Sequence, residues 1–124
     1  LKLAGNLKWY DCGHGEQTAE PETFGDIVLA RKDIATSYHL SVTIDDAIQG
    51  ITRVTRGNDL LPATHIHRLL QELLELPTPD YHHHKMITDK NGLRLAKRNK
   101  SSTLQEMKKS GQNPEDIIQF LGFK

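Results

Sequence analysis

Between Gly50 and Gly57 the run Ile51-Thr52-Arg53-Val54-Thr55-Arg56 is short, β-branched and closed by glycine at both ends. It is followed by Ile66, Leu69, Leu70, Leu73 and Leu74 at i, i+3, i+4, i+7 and i+8. The first pattern predicts a strand; the second predicts an amphipathic helix with Thr64 as N-cap, Pro77 closing its far end and the leucine stripe in the core. A strand that leads into a helix with one apolar stripe must bury that stripe on a sheet, which points to an α/β layered fold with parallel pairing.

The other segments extend the alternation. Gly25 to Arg31 predicts a strand, and a β-rich segment around Tyr81 to Thr88 another. Ser102-Thr103-Leu104-Gln105 offers a capping-box start to a helix ending in Lys108, Lys109 and Gly111, and Asn113-Pro114-Glu115-Asp116 opens a last helix with a cap, an early proline and first-turn acids. Residues 38–48 fit two periods: Leu40, Val42 and Ile44 alternate, while Leu40, Ile44, Ala47 and Ile48 share a helical face, and β-branched content favours strand. Asp11 to Glu22 is polar without a clear period and reads as an exposed connection with little chemistry.

The 124 residues allow one modest domain or part of one. The chain starts at Leu1 rather than Met and its last helix pattern runs almost to the terminus, so it is expected to be cut from something longer. A single cysteine permits no internal disulfide, no run approaches the roughly 20 apolar residues of a membrane span, and no signal peptide is visible. A reducing cytoplasm and no membrane partner are the resulting expectations.

Sixteen Lys and Arg balance sixteen Asp and Glu, but not evenly along the chain. Residues 85–109 carry eight bases against two acids, whereas residues 1–84 carry seven against twelve. Inside the basic segment, Gly92-Leu93-Arg94-Leu95-Ala96-Lys97-Arg98 reads as a glycine-led loop after a strand and before a helix, a setting suited to holding phosphates. A solvated basic loop, or a basic face for RNA, has the same composition. Arg56, at the end of a predicted strand, lies where ligands collect in open α/β sheets, and its planar fork suits a carboxylate or phosphate; pairing with Asp59 or with solvent is the plain alternative.

Seven histidines raise the question of a metal, but His82-His83-His84 on a strand would point to alternate faces and His65-x-His67 on a helix would not share one. Asp11-x-x-His14 with Cys12 is the one mixed cluster, without a second Cys/His pair at zinc spacing, and Asp45-Asp46 reads as a solvated or capping pair, so no metal site is expected here. No Gly-x-Ser-x-Gly, Walker loop or Gly-x-Gly-x-x-Gly occurs.

Four ordered motifs carry a family resemblance: Tyr38-His39-Leu40-Ser41-Val42-Thr43-Ile44-Asp45-Asp46, Gln49-Gly50-Ile51-Thr52, Arg56-Gly57-Asn58-Asp59-Leu60-Leu61 and Arg94-Leu95-Ala96-Lys97-Arg98. From about Trp9 to Gly122 the chain resembles the second half of the catalytic domain of glutamate-specific class I aminoacyl-tRNA synthetases. Within that group Gln49-Gly50, Arg56-Gly57-Asn58-Asp59-Leu60 and Val42, where ordinary glutamyl-tRNA synthetases tend to have asparagine, look most like the short glutamyl-queuosine tRNA(Asp) synthetase paralogues.

The resemblance implies a Rossmann-like nucleotide-binding fold, with residues 1–90 as its second half and residues 91–124 as a KMSKS-type loop followed by short helices. It places residues 38–48 on a helix, against the propensity reading. It implies ATP-dependent activation of L-glutamate to glutamyl-adenylate and transfer to queuosine in the wobble position of tRNA(Asp), by a monomeric parent. Tyr38 and Arg56 would bind glutamate. Arg94, Leu95, Ala96, Lys97 and Arg98 would bind ATP, with Lys97 the catalytic lysine at the phosphates. Mg2+ would accompany ATP, and zinc would sit in a cysteine-rich knob upstream, of which Cys12 is not an obvious member. Two departures stand in the loop, Arg94 for lysine and Ala96 for serine, and the half carrying the HIGH-type motif is not in this sequence, so these residues alone are expected to be inactive. The alternatives are the corresponding part of an ordinary glutamyl-tRNA synthetase and a noncatalytic RNA-binding module.

Overall fold

The computed structural model describes residues 7–88, 92, 94–95 and 103–122. The chain divides into two compact units, Leu1–Lys85 and Met86–Lys124. In the first, strands β1 (Lys8–Asp11) and β2 (Gly15–Thr18) form a hairpin, and helix α1 (Tyr38–Ile48) precedes strand β3 (Arg53–Gly57). Helix α2 (Ala63–Leu73) then leads to strand β4 (Asp80–His84). Among the described residues one mixed sheet forms, in the order β2-β1-β4-β3, with β1 and β3 both parallel to β4 and β2 antiparallel to β1. The α/β expectation holds, and the parallel pairing holds for the three strands that end together.

Two strand expectations change. Residues 25–31 form no strand; this segment is tied down instead by Ser37 N donating to Leu29 O (2.7 Å) and Arg31 N to Ile34 O (2.9 Å). Its hydrophobic run Ile27-Val28-Leu29 has no polar alternation to distinguish a strand from an apolar loop. Conversely, part of the supposed exposed connection is the β1–β2 hairpin, in which Leu7 and Trp9 are buried while Lys8 and Tyr10 are exposed. Residues 38–48 are helical, capped by the Ser37 hydroxyl accepting from Leu40 N (3.4 Å), so propensity loses to packing there.

Helix α2 is rotated from the leucine stripe read in the sequence, and Thr64 is inside it rather than at its cap, which is Pro62. Its buried residues are Thr64, Ile66, His67, Leu70 and Gln71, whereas Leu73 and Leu74 stand 47% and 43% exposed. Three polar side chains therefore occupy the sheet-facing side. Arg68 Nε binds Lys8 O (2.9 Å), and Gln71 Nε2 donates to the Tyr81 hydroxyl (3.0 Å), fixing the helix across β1 and β4. Trp9 stands edge-on to Tyr81, with ring centres 5.4 Å apart, and these two with Leu7, Ile66 and Leu70 make the core.

In the second unit, Thr88 and Arg94 form an isolated antiparallel bridge and Leu95 N donates to Ile87 O (3.0 Å). Helix α3 (Leu104–Lys109) starts with a capping box, Thr103 with Glu106, one residue on from the Ser102-Thr103-Leu104-Gln105 read in the sequence, and helix α4 (Pro114–Phe120) with Asn113 accepting from Asp116 N (2.8 Å). No helix is long and apolar enough to cross a membrane among the described residues.

Both helices of the first unit end in the same closure. Ile51 N reaches back to Asp46 O (2.9 Å) after Gly50 at φ 65°, and Leu76 N reaches Gln71 O (2.8 Å) after Glu75 at φ 54°. Glycine takes this left-handed position without a Cβ penalty; Glu75 does not. Glu75→Gly is expected to stabilise the chain by about 0.5–1 kcal/mol, seen as a higher urea midpoint at unchanged m-value. A lower midpoint would contradict this account of the helix end.

Candidate functional site

Strands β1, β4 and β3 run parallel and bring their carboxyl ends together at Asp11, His83 and Arg56, the region where open α/β sheets gather ligands. Arg56 and His83 are register partners across β3 and β4, so their side chains lie side by side. Arg56 Nε donates to His83 Nε2 (3.0 Å), Nη2 to the Thr64 hydroxyl (2.6 Å), and Nη1 to His67 Nδ1 (3.2 Å) and the Tyr38 hydroxyl (3.4 Å). Its Cζ lies 5.3 Å from the centre of the Tyr81 ring, a cation–π contact.

Every one of these acceptors is neutral. An arginine has no lone pair to offer and keeps its proton, so His67 must be bare at Nδ1 and protonated at Nε2, from which it donates to His39 Nδ1 (3.1 Å). By the same reasoning His83 is bare at Nε2 and protonated at Nδ1, where it donates to Asp11 Oδ2 (2.6 Å). Among the described residues no carboxylate forms an ion pair with Arg56. Among the described residues the guanidinium is thus oriented with no carboxylate in direct contact, while Asp46 senses its charge from further away.

The surrounding ionisations follow. Burial, and then the Arg56 charge, push the His67 imidazole down to about 3; burial likewise lowers His83, against the pull of Asp11, and lowers His39 with help from Arg56. Burial alone would raise the Asp11 carboxyl, but hydrogen bonds from His14, His83 and the backbone of Gly13 and His83 outweigh it and hold the group far below the usual carboxylate range. Asp46 is raised by burial, an effect that Arg56 opposes and Asp45 reinforces.

The two residues expected to bind an amino acid, Tyr38 and Arg56, are brought together. Tyr38 opens α1 and is 50% exposed, so its hydroxyl and the Arg56 Nη1 edge face the accessible side. Arg56 is half-buried and held by the side chains of His83, Thr64, His67 and Tyr38. Of the expected ATP loop, Arg94 is exposed and bridges to Thr88, and Leu95 is half-buried against Ile87; both belong to the second unit. Ala96, Lys97 and Arg98 lie outside the described residues.

Sequence reasoning missed Asp11, His39, Thr64, His67 and His83 as members of this site. Signals existed: Leu7, Trp9 and Asp11 alternate along one strand face, as do Tyr81 and His83, and Thr64 and His67 are spaced by three on a helix. The histidines do divide by face. His83 is buried between the exposed His82 and half-buried His84, and His65 turns away from His67 to stand 6.2 Å from Trp9 and accept from Glu20 N (2.9 Å). Cys12 is exposed beside an Asp11 whose two oxygens already accept five hydrogen bonds, so this cluster does not suit zinc.

Keeping these imidazoles neutral has a cost in acid. An unfolded His67 takes up a proton below about pH 6.5, while the folded one refuses it until about pH 3, so stability falls as pH drops through that window. His83 and His39 act in the same direction, and Asp11 contributes stability that is present above its ordinary 3.8 and lost below it. His67 alone should remove about 2 kcal/mol between pH 7 and pH 5, measured by urea unfolding, and His67→Gln should flatten the slope. A stability independent of pH in this range would contradict the neutral imidazole.

Known proteins are similar to this chain along nearly its whole length. The family described as tRNA synthetases class I (E and Q), catalytic domain, matches residues 2–123. A glutamyl-Q tRNA(Asp) synthetase of Rhodobacter capsulatus is 52% identical over 87% of the chain and 40% of its own length; that of Nocardia farcinica is 44% identical over 77% of the chain and 31% of its length. A glutamate–tRNA ligase 2 of Nitratiruptor is 37% identical over 96% of the chain and 26% of its length. The crystal structure of glutamate-tRNA synthetase from Elizabethkingia anophelis superposes at a TM-score of 0.66 with 30% identity, over 89% of this chain and 21% of that one. The chain thus spans well under half the length of these relatives.

Proposed function

Because this chain belongs to the family of class I tRNA synthetases for glutamate and glutamine, in its catalytic domain, we propose that it supplies the amino-acid side of an active site that activates L-glutamate with ATP. The observation that carries this reading is Arg56, a fixed guanidinium with no carboxylate in direct contact among the described residues, beside the exposed Tyr38 at the carboxyl end of the parallel strands. A substrate carboxylate entering there displaces the long 3.4 Å contact between Arg56 and Tyr38 and accepts from both. Among the described residues no carboxylate contacts this guanidinium directly, although the half-buried Asp46 carboxyl senses its charge.

Adenylate formation joins the glutamate α-carboxylate to the α-phosphate of ATP as pyrophosphate leaves, so the protein's work is to hold anions in line and offset growing charge. Arg94, Leu95, Ala96, Lys97 and Arg98 are the residues proposed to hold ATP, with Lys97 at the phosphates and Mg2+ arriving with the nucleotide. The second half of the reaction, transfer of the glutamyl group from the adenylate to a hydroxyl with release of AMP, is assigned to queuosine in the wobble position of tRNA(Asp) because the relatives named for that tRNA reach 52% and 44% identity, above the 37% of the glutamate–tRNA ligase. We place the enzyme in the cytoplasm as a monomer. The ordinary glutamyl-tRNA synthetase reaction is the second reading, favoured by the likeness to solved glutamate-tRNA synthetases.

ATP–pyrophosphate exchange with L-glutamate on the full-length protein carrying these residues separates the two. Exchange without tRNA supports the queuosine reaction; exchange that requires tRNA supports the ordinary ligase; no exchange in either condition contradicts both. Arg56→Ala should raise the glutamate KM at least about tenfold, and Lys97→Ala should lower kcat roughly 100-fold with its main effect on ATP. Wild-type kinetics in both variants would overturn the site assignment.

A further inference from the structure

Asp11 is fully buried, yet it touches Arg56 only through His83. Its Oδ1 accepts from Gly13 N (2.8 Å), His14 N (3.0 Å) and His14 Nδ1 (2.8 Å), and its Oδ2 from His83 N (3.1 Å) and His83 Nδ1 (2.6 Å). The turn wraps closely around it: a Cβ at Gly13 would lie 3.3 Å from Oδ1. Had the carboxylate reached Arg56 directly, it would have neutralised the guanidinium. One imidazole further away, it orients the cation and leaves its charge free for another anion.

We propose that Asp11 and His83 are positioning residues for Arg56: Asp11 locks His83 in its Nδ1–H form, and the bare Nε2 then aims the guanidinium at a substrate carboxylate. The proposal rests on the glutamate-binding role given to Arg56 above. Its physical content is a tautomer. With Nδ1 protonated, Nε2 can accept from Arg56; with Nε2 protonated, two donors would face each other across 3.0 Å. Thr64 completes the clamp, since its hydroxyl accepts from Arg56 Nη2 and lies 3.3 Å from the same Nε2.

Asp11→Asn discriminates because no amide orientation reproduces the carboxylate. Each oxygen accepts from a backbone N–H, so an amide NH2 must oppose either Gly13 and His14 or His83, and an NH2 facing His83 invites the Nε2–H form. His83→Gln, in contrast, can still offer an oxygen to Arg56 but severs the dependence on Asp11.

The test joins NMR on the 124-residue chain to kinetics on the full-length protein. Side-chain 15N spectra should show wild-type His83 protonated at Nδ1, with a coupling across the Arg56 Nε–H to Nε2 hydrogen bond; Asp11→Asn should lose that coupling. In exchange assays Asp11→Asn should raise the glutamate KM about tenfold with the ATP KM unchanged. His83→Gln should retain most of the glutamate affinity, and Asp11→Asn added to it should cost no more in glutamate KM. A wild-type His83 protonated at Nε2 overturns the proposal even if the variant does not fold, and so does a variant that keeps tautomer and coupling. Absence of any glutamate-dependent exchange, with the tautomer as stated, would instead overturn the reading of Arg56 as a glutamate ligand.

Discussion

Arg56 cannot lose its proton, and it is half-buried at the end of β3. A cation in that position needs acceptors for its N–H groups, and what the fold supplies decides what the cation is for. A carboxylate would satisfy it and neutralise it. Here a hydroxyl of α2, a hydroxyl of α1 and the lone pairs of two imidazoles satisfy it without neutralising it. The arrangement leaves α1, α2, β3 and β4 converging on one guanidinium, with Asp11 of β1 one imidazole behind.

That constraint accounts for features that look unfavourable taken singly. Helix α2 turns Thr64, His67 and Gln71 toward the sheet and leaves Leu73 and Leu74 exposed, although burying leucines would remove more apolar area from water. The buried polar groups are tolerable because each meets a defined partner, and because His67 donates its Nε2–H to His39 while its bare Nδ1 accepts from the cation. Trp9, edge-on to Tyr81 and His83, packs the apolar floor beneath them, and Tyr81 adds its ring face to the guanidinium.

Much of the architecture was legible in sequence. The β3 strand, the existence of α2, the alternation within His82-His83-His84 and both caps of the second unit follow local rules that the structure obeys. What was not legible depends on partners distant in sequence. The apolar stripe located Ile66 and Leu70 in the core but not the polar Thr64, His67 and Gln71 beside them, and it ran on to Leu73 and Leu74, which are exposed. Residues 38–48 have strand-like content but pack as a helix whose His39 meets α2. Arg56 was reached from its place at the end of a strand and again through family resemblance, and Tyr38 through the resemblance alone, whereas Asp11 was passed over because a polar, aperiodic neighbourhood gives no sign that its carboxylate bonds to a histidine 72 residues away.

The central claim is that Arg56 keeps its charge for a carboxylate. The α-carboxylate of the substrate goes to the α-phosphate of ATP, which leaves the side-chain carboxylate for Arg56; glutamate and glutamine differ only there, by a carboxylate against a carboxamide of nearly the same shape, so their relative affinity reads the claim directly. Equilibrium titration of the full-length protein with each amino acid is the decisive measurement. The account predicts that L-glutamate binds at least about tenfold more tightly, equivalent to about 1.4 kcal/mol, and that Arg56→Gln removes most of the difference. Equal affinity for the two amino acids, or a glutamate preference that survives in Arg56→Gln, would contradict it.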